Sequence, residues 1–190
     1  TVIQNGDIAF YVSGPSRSIT VAERLLLNIM QRMSGIATKT NRIQQLISDT
    51  NCKLLDTRKT TPGFRYFEKL AVKIGGGVNH RFGLYDMILV KDNHVDFCGG
   101  VVPALEHVKN YLQKTGKNLR VEVEARNLSE VEQILSANIA FRILLDNFQP
   151  DSLREAVRFI QGRVQTEASG GINENNVMEY ALTGVDYISM

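Results

Sequence analysis

The chain has 190 residues, 43% of them hydrophobic, so it can bury a sizeable core. Its 22 Lys+Arg against 20 Asp+Glu leave a formal charge of +2, which gives no global basic field for nucleic acid or an anionic membrane. No apolar run reaches spanning length, TVIQNGDIAF lacks the marks of a signal peptide, and Cys52 and Cys98 lie far apart outside any CxxC spacing. These features fit a cytoplasmic protein with reduced thiols.

Residues 2–13 alternate loosely about a turn at Asn5-Gly6-Asp7 and predict a hairpin, closed by Gly14-Pro15. From Thr20 the period becomes helical: Ala22, Leu25, Ile29 and Met33 form one stripe, with Thr20 and Glu23 spaced as a capping box. Helix continues over 36–48. Beyond it, short apolar strands alternate with helices. The expected strands are 53–57, 87–91, 120–125, 141–147, 163–169 and 186–190. Glycines punctuate the intervening helices: Gly75-Gly76-Gly77, Gly116, Gly162 and Gly184. Pro103 suits a first helical turn, and Asp151 and Asn173 are expected to cap the helices they precede. Steady alternation implies a parallel sheet, best read as a β/α barrel, with a doubly wound sheet as the other possibility. Thr1 opens inside an extended pattern and Met190 ends one, as in a fragment of a longer protein.

Each expected strand is apolar first and then polar: Asp56-Thr57-Arg58-Lys59, Lys91-Asp92, Glu122 and Glu124, Asp146-Asn147, Glu167 and Ser169. Barrel active sites are built from C-terminal strand ends, so these groups should converge. Any one of them alone could be an ordinary loop residue; five strands in succession argue otherwise. Glu122 and Glu124 are two apart and share a face. With Asp146 they suit ribose hydroxyls or magnesium, or else a structural ion-pair network with Arg120 and Arg142. TEASGGIN (166–173) lies between a strand and a helix, where glycines and helix N–H groups can hold phosphate. His80 beside Arg81 belongs to a cationic loop, His94 fastens a loop, and His107 lies on an exposed helix face. The three lack zinc-ligand spacing.

ERLLLNIMQRMSGIAT, DTRKTTPG, GGGVNHRFGLYDMILVKDNH, VEVEA, LLDNF and EASGGI, in this order, resemble quinolinate phosphoribosyltransferase from about Val21 to Met190. The resemblance implies an α/β chain: a β/α barrel of the type II phosphoribosyltransferase kind over 49–190, with 1–48 the remainder of an N-terminal open-faced sandwich domain and interface helices. It implies reaction of quinolinate with phosphoribosyl pyrophosphate and magnesium, the ion bound mainly through that donor. The products are nicotinate mononucleotide, pyrophosphate and CO2, in NAD biosynthesis. Thr57, Arg58, Lys59, His80, Arg81 and Lys91 then match the substrate pocket. Arg24 matches an arginine inserted by a neighbouring subunit of a homodimer or larger homo-oligomer. Glu122 and Asp146 match acids near the ribose and metal, with Lys59 catalytic beside them. Ser169, Gly170 and Gly171 match a phosphate loop. Family members also carry more N-terminal domain and a segment after DYISM.

Other readings are a relative acting on a different heteroaromatic carboxylate, and a barrel lyase using Lys59 or Lys91 as a Schiff-base amine. A non-catalytic ligand-binding protein is a further one.

Overall fold

The structure is a computed structural model and describes residues 2–190. All six expected strands form: β1 (Lys53–Leu55), β2 (Ile88–Val90), β3 (Val121–Ala125), β4 (Arg142–Asp146), β5 (Gln165–Ser169) and β6 (Tyr187–Ser189). Every pairing is parallel and the hydrogen-bonded order is β1-β6-β5-β4-β3-β2. Helices α1 (Ser16–Leu46), α2 (Arg65–Ile74), α3 (Asp92–Cys98), α4 (Val101–Thr115), α5 (Leu128–Ala137), α6 (Pro150–Ile160) and α7 (Val177–Ala181) complete the chain.

Strand alternation divides the sheet into two faces. Val121, Val123, Ala125, Ile143, Leu145, Ala168 and Ile188 face the helices and form a core with Leu105, Val131, Ile134, Leu153 and Ile160. The opposite face carries Glu122, Glu124, Arg142 and Glu167, all buried. The sheet is curled rather than flat. Val78 bridges the far edge of β1, and His80 just beyond it touches Glu122 on β3 at 2.9 Å. In a flat sheet of this order five strand spacings, about 24 Å, would separate them. A monotonic strand order and contact across the interior are barrel geometry, not that of a doubly wound sheet. No ladder among the described residues joins the Val78 segment to β2.

Helix α1 is one 31-residue rod, as the continuation of helical period through 36–48 leads one to expect. Its second half reaches the barrel through Thr40 and Ile43. Gly75 and Gly77 allow the contact: a Cβ on Gly75 would lie 2.5 Å from Ala37 O, and one on Gly77 2.9 Å from Thr40 Cγ2.

Three local expectations need correction. Residues 2–13 contain only a turn near Asn5-Gly6 and no strand; their side chains are exposed and no strand among the described residues pairs with them. The capping box fails because α1 already begins at Ser16, after Pro15, and Thr20 Oγ1 bonds Ser16 O inside the helix. Asp151 lies inside the first turn of α6, with Pro150 at the helix start and Gln149 as the cap residue. No helix among the described residues is long and apolar enough to cross a membrane.

Leu145 is fully buried between sheet and helices. Leu145→Ala should lower unfolding free energy by about 2–5 kcal/mol, measured by urea denaturation.

Candidate active site

The site is assembled around Asp56, the first residue after β1. Its N–H donates to Val78 O, while Val78 N–H donates to Leu54 O, so strand end and loop are laced together. The Asp56 carboxylate accepts from Lys69 Nζ of α2 and, at 2.8 Å, from the His80 N–H. Lys69 and Asp56 are both almost wholly buried. Burial raises the Asp56 pKa, and Lys69 and His80 oppose the rise. The His80–Asp56 hydrogen bond joins DTRK to NHR, across 24 residues of sequence.

The cations of these stretches gather at the mouth. Arg58 lies close enough to Arg81 that, after burial, its charge is the next influence lowering the Arg81 pKa. Two neighbouring guanidinium groups repel unless an anion lies between them. Arg58 Nε is also buried without a hydrogen-bond partner, an unmet donor in the same place. Arg81 Nη1 donates to Met87 O at 3.4 Å. Lys91 Nζ is 3.9 Å from Glu124, and His94 Nδ1 accepts the Lys91 N–H, fastening the start of α3. Lys59 is exposed, and its N–H is held by Thr57 Oγ1.

Acids occupy the other side. Asp146 lies near Lys91 and Lys59 but also near Asp92; burial is the main cause raising its pKa. Glu124 is likewise raised, by burial first and then by Asp146. Asn147, in left-handed conformation at φ 57°, donates from its amide to Asp146 Oδ2 at 2.5 Å and from its backbone to Ser169 O. It also fixes the glycine loop: Gly170 has φ +100°, and a Cβ there would sit 2.2 Å from Asn147 Oδ1. Asn173 does not directly cap α7; its Oδ1 holds the Asn175 N–H, and a turn through 173–176 precedes the helix.

One cavity of about 540 Å³ runs beside the mouth between α1, α2, β1 and the glycine loop, lined in part by Thr57, Lys59, Thr60, Lys69 and Asn173. Arg32 of α1 lines it and binds Glu68 and Thr61.

The structure therefore brings Arg58 and Arg81 together, and places Lys59, Lys91, Asp146 and Glu124 near one another. Ser169 and Gly170 end the neighbouring strand, with Gly171 exposed beyond them. Glu122 sits deeper. Its side chain is 0% exposed and lies beneath the mouth against His80, Arg142 and Glu167, an arrangement that matches the other expectation for it, an ion-pair network with Arg142. Glu124, one pleat higher, is the acid the strand presents. His80 is turned inward toward the same buried acids. Arg24 stays apart in its own chain: it is exposed on α1, about 12 Å along the helix from Arg32. Lys69, Asn147 and Glu167 are site-building residues the sequence reading left out of the candidate set. Glu167 was visible only as another polar strand residue; Lys69 had no signal, being one lysine on an amphipathic helix. Both cysteines are free, and burial pushes the Cys52 thiol up to about 12.

A curled parallel sheet with paired guanidiniums, acids and a glycine loop at its strand ends is the pattern of a β/α-barrel protein with a charged mouth. The chain belongs to the quinolinate phosphoribosyl transferase family, whose C-terminal domain model matches residues 36–190. It is 41% identical over its whole length to a probable nicotinate-nucleotide pyrophosphorylase [carboxylating] of Bacillus subtilis, covering 64% of that protein. It is 45% identical to the chloroplastic nicotinate-nucleotide pyrophosphorylase of Arabidopsis thaliana, with 94% of this chain and 55% of that one aligned. Among solved structures, the nicotinate-nucleotide pyrophosphorylase of Francisella tularensis matches at TM-score 0.85 and 46% identity, over 92% of this chain and 61% of that one. The chain thus spans less than two thirds of the length of these relatives.

Removing the Lys69 amine leaves a buried, unpaired Asp56. Lys69→Ala should cost about 3–5 kcal/mol of stability in urea denaturation.

Proposed function

We propose that the protein containing this chain transfers phosphoribose from phosphoribosyl pyrophosphate to quinolinate, with loss of CO2. The observation that carries the reading is the adjacency of Arg58 and Arg81, with an unpartnered buried Nε, opposite the Asp146–Gly170 edge. Quinolinate has two neighbouring carboxylates, and guanidinium groups grip such groups with paired hydrogen bonds. Family membership and the names of the relatives point the same way.

In this reading Arg58 and Arg81 hold the dicarboxylate so that the pyridine nitrogen faces the anomeric carbon of the sugar. That nitrogen attacks as pyrophosphate leaves, through a transition state with oxocarbenium character. Glu124 and Asp146 face the ribose, where they orient its hydroxyls and favour the developing positive charge. Lys59, exposed and mobile on its stem, meets the leaving pyrophosphate. The glycine loop receives the 5′-phosphate, since Gly170 admits no side chain. The alkylated ring nitrogen is cationic and stabilises the carbanion left at C2 when CO2 departs, and that carbon then takes one proton, ultimately from water, to give the mononucleotide. Asp146 would suit magnesium, since Asn147 occupies only its Oδ2 and leaves a hard oxygen; an ion arriving with the donor would supply charge neutralisation for the phosphates. A Schiff-base lysine needs a desolvated amine, whereas Lys59 and Lys91 are exposed.

The proposal extends to the assembly. Val21, Leu25 and Leu26 are exposed on the first half of α1 beside Arg24. Burial of that face in a homodimer would let Arg24 reach the neighbouring mouth, and residues 1–48 would be the remainder of a sandwich domain and its interface. A cytoplasmic location is the matching expectation.

The decisive experiment measures pyrophosphate and CO2 release from quinolinate and the phosphoribosyl donor. Both should appear in equal amounts; binding of both ligands without turnover would overturn the catalytic reading. Arg81→Ala should weaken quinolinate binding by roughly 2–4 kcal/mol in calorimetry, as for one member of a buried charge pair. Arg24→Ala should reduce turnover without unfolding the subunit, and mixing it with Arg81→Ala should restore part of the activity through hybrid dimers.

A further inference from the structure

Beneath the mouth lies a charged layer that the reaction above leaves without a role. His80 Nε2 is 2.9 Å from Glu122 Oε2 and 3.5 Å from Glu167 Oε2. Arg142 Nη1 is 3.0 Å from Glu167 Oε2 and 3.7 Å from Glu122 Oε2. Neither acid side chain is more than 1% exposed. Both oxygens of Glu122 lack a well-directed hydrogen-bond donor despite the short approach of His80.

The charges in this layer do not balance. His80 Nδ1 accepts the Arg81 N–H at 2.7 Å, so that nitrogen carries no hydrogen and the ring is neutral, protonated on Nε2. Two carboxylates and one guanidinium then leave one negative charge in excess, away from water. The other groups facing the layer do not remove it. Lys69, near His80, is bound to Asp56; Ser189 of β6 offers Glu167 only a hydroxyl; Arg81, whose field reaches Glu122, lies beside Arg58 and Asp86 at the mouth. The ligating atoms of His80, Glu122 and Glu167 lie within 4.8 Å of one another, close enough for a cation. A divalent ion would overshoot to one excess positive charge and crowd Arg142. A single proton gives neutrality and supplies the donor that Glu122 lacks.

We propose that Glu122 and Glu167 share one proton, and that this neutral layer positions His80, and through it the Arg81 backbone, for the ligand carboxylate. The second half rests on the quinolinate reading. Burial, reinforced by Glu122, pushes Glu167 up to about 7, and burial raises Glu122 against the pull of Arg142 and Arg81. The sign follows: between the ordinary carboxylate range and about pH 7 the folded chain holds a proton the unfolded chain has lost, so stability falls as pH rises through that window and levels off above it.

The test compares the unaltered protein with Glu167→Gln, which keeps the shape without the titration. Infrared spectra at pH 6 should show a buried, deuterium-sensitive carboxylic acid carbonyl band that Glu167→Gln lacks. Stability from urea titrations should decline from pH 5 to 7.5 more steeply in the unaltered protein than in the variant. Quinolinate affinity should fall about tenfold between pH 6 and 8.5 as a second buried negative charge appears behind Arg81, and stay level in Glu167→Gln. Absence of the band together with parallel stability slopes would overturn the shared proton, as would tight zinc binding that Glu167→Gln abolishes. With band and slopes as expected, pH-matched affinities in the two proteins would overturn the positioning role. Failure of the unaltered protein to bind quinolinate at any pH would instead overturn the functional reading and the positioning role with it, while the spectra and slopes would still support the shared proton.

Discussion

Charge inside the barrel is the constraint on which the rest depends. The interior face of the sheet carries Glu122, Glu124, Arg142 and Glu167 where other barrels use branched apolar side chains. Such groups persist only when each meets an opposite charge, a hydrogen-bond donor or a proton. That requirement dictates the connections. His80 is drawn inward across the barrel, Arg142 bridges β3 and β5 from β4, and Asp56 ties β1 to α2 and to the loop bearing His80 and Arg81. The mouth inherits its geometry from this framework, because Arg81 and Glu124 stand directly beside Glu122 and His80 in chain or pleat.

A division of labour by depth results. The lower layer is closed and nearly neutral, and it fixes backbone positions. The upper layer is open and unbalanced: Arg58 and Arg81 repel each other, burial and then Asp146 raise the proton affinity of Glu124, and an Arg58 nitrogen has no partner. Unmet interactions of this kind are stored at the place where a ligand can satisfy them. The same chemistry two residues lower on β3 serves structure instead.

Much of this was legible in the residues. The six strands and most helices follow from apolar runs separated by glycine, and the polar ends of the strands mark the mouth. Sequence alternation showed that Glu122 and Glu124 share a face, but it could not say at which depth each lies; that depends on how far each strand rises in the barrel, a tertiary quantity. Lys69 was invisible for a similar reason, since its role exists only because α2 packs its face against Asp56. The hairpin at 2–13 illustrates the reverse error: alternation makes a segment able to pair, but exposed residues without a neighbouring strand do not. The start of α1 was misplaced because Thr20 and Glu23 matched a cap pattern inside a helix that Pro15 had already opened.

Helix α1 has a mechanical consequence. At 31 residues it is about 46 Å long and unbroken, and its second half is anchored along the barrel, with ion pairs to the segments beside two of the site loops. Arg32 holds Glu68 and Thr61 beside the loop after β1, and Lys39 and Arg42 hold Glu174 just past the glycine loop. The free half of the rod, with Arg24 on it, is a long lever arm. A tilt imposed there is delivered to the cationic loop and the glycine loop together, so the two halves of the mouth cannot be adjusted independently by anything that seats on that arm.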